Sequence, residues 1–140
     1  LLDQFGDMVD LYDFAGQGKY VAVDISAMWC PPCNDIAEVI ATNGEGFGSI
    51  PQRVHDGDIY WITILGENNS GSEPSLANLQ EWYNDYPDPN VPVLAGQDFA
   101  YKYVAGGWPT IYVFDENLEM VSGPTSANHW AAVDFLDALP

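Results

Sequence analysis

Two cysteines, Cys30 and Cys33, are the only cysteines in the chain, and two prolines alone separate them. The segment Trp29-Cys30-Pro31-Pro32-Cys33 follows a run of β-branched and apolar residues, Tyr20 to Ser26, and precedes a helical pattern from Pro31 to about Thr42. A helix N-terminus presents unpaired N–H groups and roughly half a positive charge, which stabilises a thiolate placed there. The thiolate is the attacking species in disulfide exchange. Pro31 and Pro32 lose nothing by lacking N–H groups in a first turn, where those groups have no helical partner. A two-residue gap lets Cys33 reach back to Cys30 and resolve a mixed disulfide.

Other uses of the pair compete with redox chemistry. A structural zinc site takes about four ligands, and His55 and His129 stand isolated from the cysteines, so no metal is expected. A purely structural disulfide across so short a loop adds only about 2 kcal/mol. Two reduced, inert cysteines in a core would leave the helix-start placement without a reason. Redox function is the expectation, with no bound cofactor.

The elements that must hold this pair alternate between strand and helix. Met8 to Phe14 is read as a first strand or an extended lead-in. Tyr20 to Ser26 and Ile59 to Leu65 are strands buried on both faces. The Pro31 helix turns Ile36, Val39 and Ile40 inward and ends at Asn43–Gly44. Gly44 to Gly57 is read as a connection and Gly66 to Gly71 as a surface loop. Ser72 is expected to cap a helix running through Tyr86, with Pro74 in its first turn. Val93–Leu94 is a short strand and Gln97 to Val104 a short helix. Thr110 to Phe114 and Leu118 to Val121 form a closing hairpin. Ser126 is expected to cap a last helix with Ala132, Phe135, Leu136 and Leu139 inward, and Trp82 and Trp130 are expected in the core. The fold class is α/β, a central mixed sheet with helices on both faces, in one domain over 1–140.

At these residues the chain resembles a known family. Val21 to Cys33 (VAVDISAMWCPPC) is similar to the strand, active site and helix start of the thioredoxin superfamily, and the Pro-Pro dipeptide to its extracytoplasmic TlpA/ResA branch. Gly107-Trp108-Pro109-Thr110 before a strand resembles that family's cis-proline loop. The long interval from Cys33 to Pro109 is consistent with the insertion the branch carries there. The resemblance runs from about Asp10 to the end. It implies a thioredoxin-like thiol–disulfide oxidoreductase acting on protein disulfides or dithiols, more in the reducing direction, with a second redox partner to reset it. It also implies an extracytoplasmic location and a monomer.

Asp24 lies six positions before Cys30 on a strand expected to be buried. Desolvation raises a carboxyl's pKa and suits it to exchange a proton with Cys33. The resemblance supports that role, since thioredoxins carry an Asp at the matching place; the alternative is an Asp bonded to a backbone N–H. Where thioredoxins often place a Lys partner, this chain has Trp61, so a proton path to Asp24 must run through water or another group. Pro109 is read as cis by resemblance, the alternative being an ordinary proline at a strand start. Trp108, Pro109, Trp29, Pro31 and Pro32 are the expected substrate contacts, by strand addition at the loop. Trp61 could join that rim, though core packing suits it better.

Charge narrows the partners. Lys19, Arg53 and Lys102 are the only strong cations against 21 acids, a net charge of -18. Nucleic acid and anionic membrane surfaces are therefore not expected partners. No apolar run reaches the ~20 residues of a membrane span. Such acidity suits a saline exterior and equally the interior of a halophile. The chain opens at Leu1 without a basic-then-apolar segment, so a signal peptide or lipid anchor is expected to be absent or already removed. Two further activities stay open. One is a thiol peroxidase, which the insertion also resembles but which would need an arginine near the cysteine, and Arg53 is read as lying in a loop. The other is a binding module on the same scaffold whose cysteines never cycle.

Overall fold

The computed structural model describes residues 1–124 and 129–140. Its centre is a six-stranded mixed sheet in the order β1-β4-β3-β2-β5-β6. The strands are β1 (Leu2–Asp3), β2 (Tyr20–Ala27), β3 (Ile59–Glu67), β4 (Val93–Ala95), β5 (Thr110–Phe114) and β6 (Met120–Ser122). β2, β3 and β4 run parallel, while β1, β5 and β6 are antiparallel to their neighbours. The α/β class and the mixed sheet expected from the sequence are what the structure has.

Helices cover both faces. α1 (Pro31–Thr42), α2 (Ile50–His55), α3 (Leu76–Asp85) and α5 (Trp130–Asp137) contribute to the two apolar clusters on one face. α4 (Gln97–Tyr103) and the N-terminal segment cover the other, over Val21, Val23, Ile25, Ile62, Ile64 and Leu94. The alternation of side chains along β2 and β3 sorts these residues to opposite faces. α1 starts and stops where the sequence signals lie. Pro31 and Pro32 occupy its first turn, and Asn43 closes it in the left-handed conformation (φ 53°), with the Gly44 N–H bonded to the Val39 carbonyl.

Several expectations need correction. Leu11–Phe14 is a 3-10 helix capped by Asp10, and the strand near the N-terminus is instead Leu2–Asp3. The Gly44 to Gly57 connection contains α2, whose Ile50 and Val54 are fully buried one turn apart. Arg53 therefore lies on a helix, where it donates to the carbonyls of Leu139 and Pro140. α3 is capped by Ser75 in a reciprocal pair with Asn78, so Ser72 and Pro74 precede it. The hairpin partner of β5 is Met120–Ser122, later than expected. In α5, Ala132 and Leu136 are buried as expected, but Trp130 is 49% exposed. Ser126 lies outside the described residues.

No helix among the described residues is long and apolar enough to cross a membrane. His55, given no role from sequence, sits with Nε2 2.9 Å from Oδ2 of the buried Asp88 and links the end of α2 to the turn before β4. Asn90 reinforces that link by donating to the carbonyls of Val54 and His55.

Candidate active site

The C-terminal ends of the parallel strands β2 and β3 open onto one edge of the sheet, the place where open α/β sheets gather their ligands. β2 delivers Trp29 and Cys30 there, and α1 begins immediately after. Cys30 is the N-cap of α1, and its Sγ accepts the Cys33 N–H at 3.3 Å. The two cysteines form a disulfide with Cα atoms 5.3 Å apart. Because Pro31 and Pro32 have no N–H, the first donor the helix can offer the sulfur is that of Cys33. Both sulfurs are enclosed: Cys30 is 2% exposed and Cys33 fully buried. Trp29, Pro31 and Pro32 are exposed around them.

Asp24 is on β2 as expected, 1% exposed, on the face shared with Ala22 and Ser26. Burial raises its pKa to about 7, against the pull of the Ser26 hydroxyl and, more weakly, the Trp61 side chain. The Ser26 hydroxyl donates to Oδ1 at 2.7 Å, and Oδ2 has no hydrogen-bond partner among the described residues. The alternative reading, an Asp bonded to a backbone N–H, finds no such bond. Trp61 is a core residue, 1% exposed and packed on Phe47, so it does not belong to the rim.

The rim is built by Trp29 and Trp108, whose rings meet edge-on at 6.2 Å. Trp108 precedes the buried Pro109 across a cis peptide bond, the geometry the resemblance implied. Gly66 on β3 lets the Trp108 ring pass, since a Cβ there would collide with that ring and with Ala100.

Sequence reasoning missed several groups around this edge. Glu67, the last residue of β3, accepts the Trp29 indole N–H at 2.6 Å on one oxygen and the Tyr101 hydroxyl at 2.7 Å on the other. Asn34 and Tyr86 bond each other behind the Cys30 loop. The signal for Glu67 was available, because β2 and β3 were both recognised and parallel neighbours end at the same edge. Ser26 was legible in the same way, two residues from Asp24 on one strand face. Asn34 and Tyr86 needed the tertiary structure. Among the described residues, no cluster of three or more metal-ligating side chains is present.

No family model matches the chain, and no curated protein matches it. Solved structures do. The exposed lipoprotein thioredoxin of Streptococcus pneumoniae superposes with a TM-score of 0.64 at 24% identity, covering 99% of this chain and 97% of that one. A secreted disulfide oxidoreductase of Mycobacterium tuberculosis gives 0.62 at 17% identity, over 97% of this chain and 89% of the other. The thioredoxin domain of a thiol-disulfide oxidoreductase from Bacteroides vulgatus gives 0.63 at 17% identity, over 97% and 88%. The fold is thioredoxin-like.

Proposed function

We propose that this domain is a thiol–disulfide oxidoreductase that exchanges disulfides with protein substrates through Cys30 and Cys33, chiefly as a reductant. The observation that carries the reading is the Cys30–Cys33 disulfide at the first turn of α1, on the strand end that follows the buried Asp24. A structural disulfide would need neither the helix terminus nor a carboxyl kept out of water at a cost.

In the reducing direction the Cys30 thiolate attacks one sulfur of a substrate disulfide, and the departing substrate thiolate takes up a proton. The Cys33 thiol gives up its proton, by way of water, to the Asp24 carboxylate. The Cys33 thiolate then attacks Sγ of Cys30, the second substrate sulfur leaves, and the internal disulfide closes. Two electrons pass to the substrate, so a dithiol partner must return the domain to its reduced form. A group that titrates near neutrality serves such a transfer well, and burial gives Asp24 that property.

What supports the reducing direction is how little stabilises the thiolate. Sγ of Cys30 accepts one backbone N–H, and the intervening prolines supply none. The cations lie on other partners: Lys19 over the Tyr60 ring, Lys102 over the Tyr103 ring, Arg53 on the C-terminal carbonyls. A weakly stabilised thiolate leaves the dithiol ready to give up electrons. Trp29, Trp108, Pro31 and Pro32 form the surface on which an extended substrate segment lies beside the disulfide, with Pro109 buried in the Trp108 loop. An extracytoplasmic setting fits the lipoprotein and secreted neighbours, and the domain acts as a monomer.

Trapping tests the roles. With a disulfide-bonded protein substrate, Cys33→Ser should accumulate a mixed disulfide on non-reducing gels, whereas Cys30→Ser should accumulate little. Equal trapping by the two variants would contradict the assignment of Cys30 as nucleophile.

A further inference from the structure

A side chain that the exchange reaction leaves unused holds the loop of the nucleophile. Asn34 directly follows Cys33, and its Nδ2 donates to two backbone carbonyls, that of Met28 at 3.0 Å and that of Cys30 at 2.8 Å. Its Oδ1 accepts the Tyr86 hydroxyl at 2.7 Å. The amide cannot be turned around, because two carbonyls require the NH2 group on one side and a hydroxyl donor requires the oxygen on the other. Tyr86 closes α3, and its ring packs edge-on against Trp82 at 4.9 Å within the cluster that contains both cysteines. α3 belongs to the stretch between the active-site helix and the cis-proline loop. One tyrosine hydroxyl thus ties that stretch to the redox loop.

We propose that Asn34, oriented by Tyr86, is a positioning residue whose side chain keeps the Met28 carbonyl, and together with its own backbone N–H at 3.1 Å the Cys30 carbonyl, facing amide donors and away from Sγ of Cys30, and so favours the Cys30 thiolate. The proposal rests on Cys30 being the nucleophile. Its physical basis is that a carbonyl dipole turned toward a thiolate destabilises it, while one held by a donor has its negative end neutralised. The site has little else to offer that sulfur, given a single backbone N–H and no adjacent cation.

The charges around the clamp are all acidic. Burial first, and then the charges of Asp85 at the end of α3 and of Glu38 and Asp35 on α1, hold the Tyr86 pKa above the usual tyrosine value. Glu67 faces the loop from β3 through Trp29, and Asp24 lies on β2. Tyr86 therefore stays a protonated donor over the range in which a cysteine titrates.

The test is the pH dependence of Cys30 alkylation by iodoacetamide in the reduced protein, read by peptide mass spectrometry, alongside thermal stability. Asn34→Leu should move the midpoint up by about half to one pH unit, slowing alkylation below the midpoint about three- to tenfold. Asn34→Asp should move it at least as far, because it adds a negative charge and removes the donor. Tyr86→Phe, which removes only a hydroxyl, should shift it the same way by less. A loss of stability with an unchanged midpoint in Asn34→Leu would overturn the proposal by showing a merely structural clamp. Should Asn34→Leu fail to fold, Tyr86→Phe decides: an upward shift supports the proposal and an unchanged midpoint overturns it. Alkylation needs no disulfide partner, so this outcome is independent of whether the protein exchanges disulfides.

Discussion

Along β2, consecutive residues serve opposite ends. Val21, Val23 and Ile25 enter one face of the sheet and join an apolar cluster with Ile62, Ile64 and Leu94. Ala22, Asp24 and Ser26 enter the other, where a carboxylate with one unbonded oxygen sits out of water. The first face lowers the free energy of the fold. The second gives some of that up to hold a proton near neutrality. A cavity of about 440 Å³ opens on the first face, lined by residues such as Val23, Phe99, Tyr103 and Tyr112, and none of its lining residues belongs to the cysteine site. Concavity alone would thus point to the opposite face from the cysteine pair; the costly polar groups point to the face that carries the pair.

The comparison breaks most readily at Asp24. Its folded pKa, about 7, lies above the unfolded value of 3.8, so between those pH values the unfolded state binds fewer protons. Asp24's contribution to the stability of the oxidised protein should therefore be fully present below pH 4 and be lost as pH rises through 7. The shift corresponds to roughly 4 kcal/mol for this one group. Asp24→Asn should remove that slope, which denaturant melts across pH 4 to 8 would show; parallel curves for the two proteins would sink the idea. The same variant should slow resolution of the mixed disulfide about ten- to a hundredfold at neutral pH, followed through Trp29 fluorescence. Ile25→Ala, next door on the other face, should cost about 2–4 kcal/mol and leave the pH profile of exchange unmoved.

Smaller effects sharpen the same contrast. Gly66→Ala should cost about 1–3 kcal/mol, because its Cβ meets the Trp108 ring and Ala100. It should also weaken substrate binding more than the chemical step, visible as a raised KM with kcat nearly retained. Ser26→Ala deletes the hydroxyl that donates to Asp24 and should raise the Asp24 pKa further, by about one unit, in an infrared titration of its carboxyl band. An unmoved midpoint would show that the hydroxyl does not tune it.

Much of this was legible in the sequence where local chemistry decides. The limits of α1 could be read because Pro31–Pro32 and Asn43–Gly44 punctuate it, and β2, β3 and β5 because continuous apolar runs mark buried strands. α2 escaped because six residues are too few for a helical period to show, and β1 because two residues form a strand only through pairing with β4. Ser75 in place of Ser72 as the cap of α3 depended on Asn78 three residues later, a reciprocal bond that composition does not rank. In the site, the cysteines and Asp24 were legible because spacing along one strand and one turn locates them. Asn34 and Tyr86 were not, because the bond that joins them spans 52 positions of the chain.

The central claim, that Cys30 and Cys33 cycle as a redox pair, is tested most directly by titrating the folded protein against dithiothreitol buffers of graded potential and counting free thiols. The expected result is a single two-electron transition in which both thiols appear and disappear together, reversibly, with the protein folded throughout. A disulfide that stays closed until the protein unfolds would contradict the account.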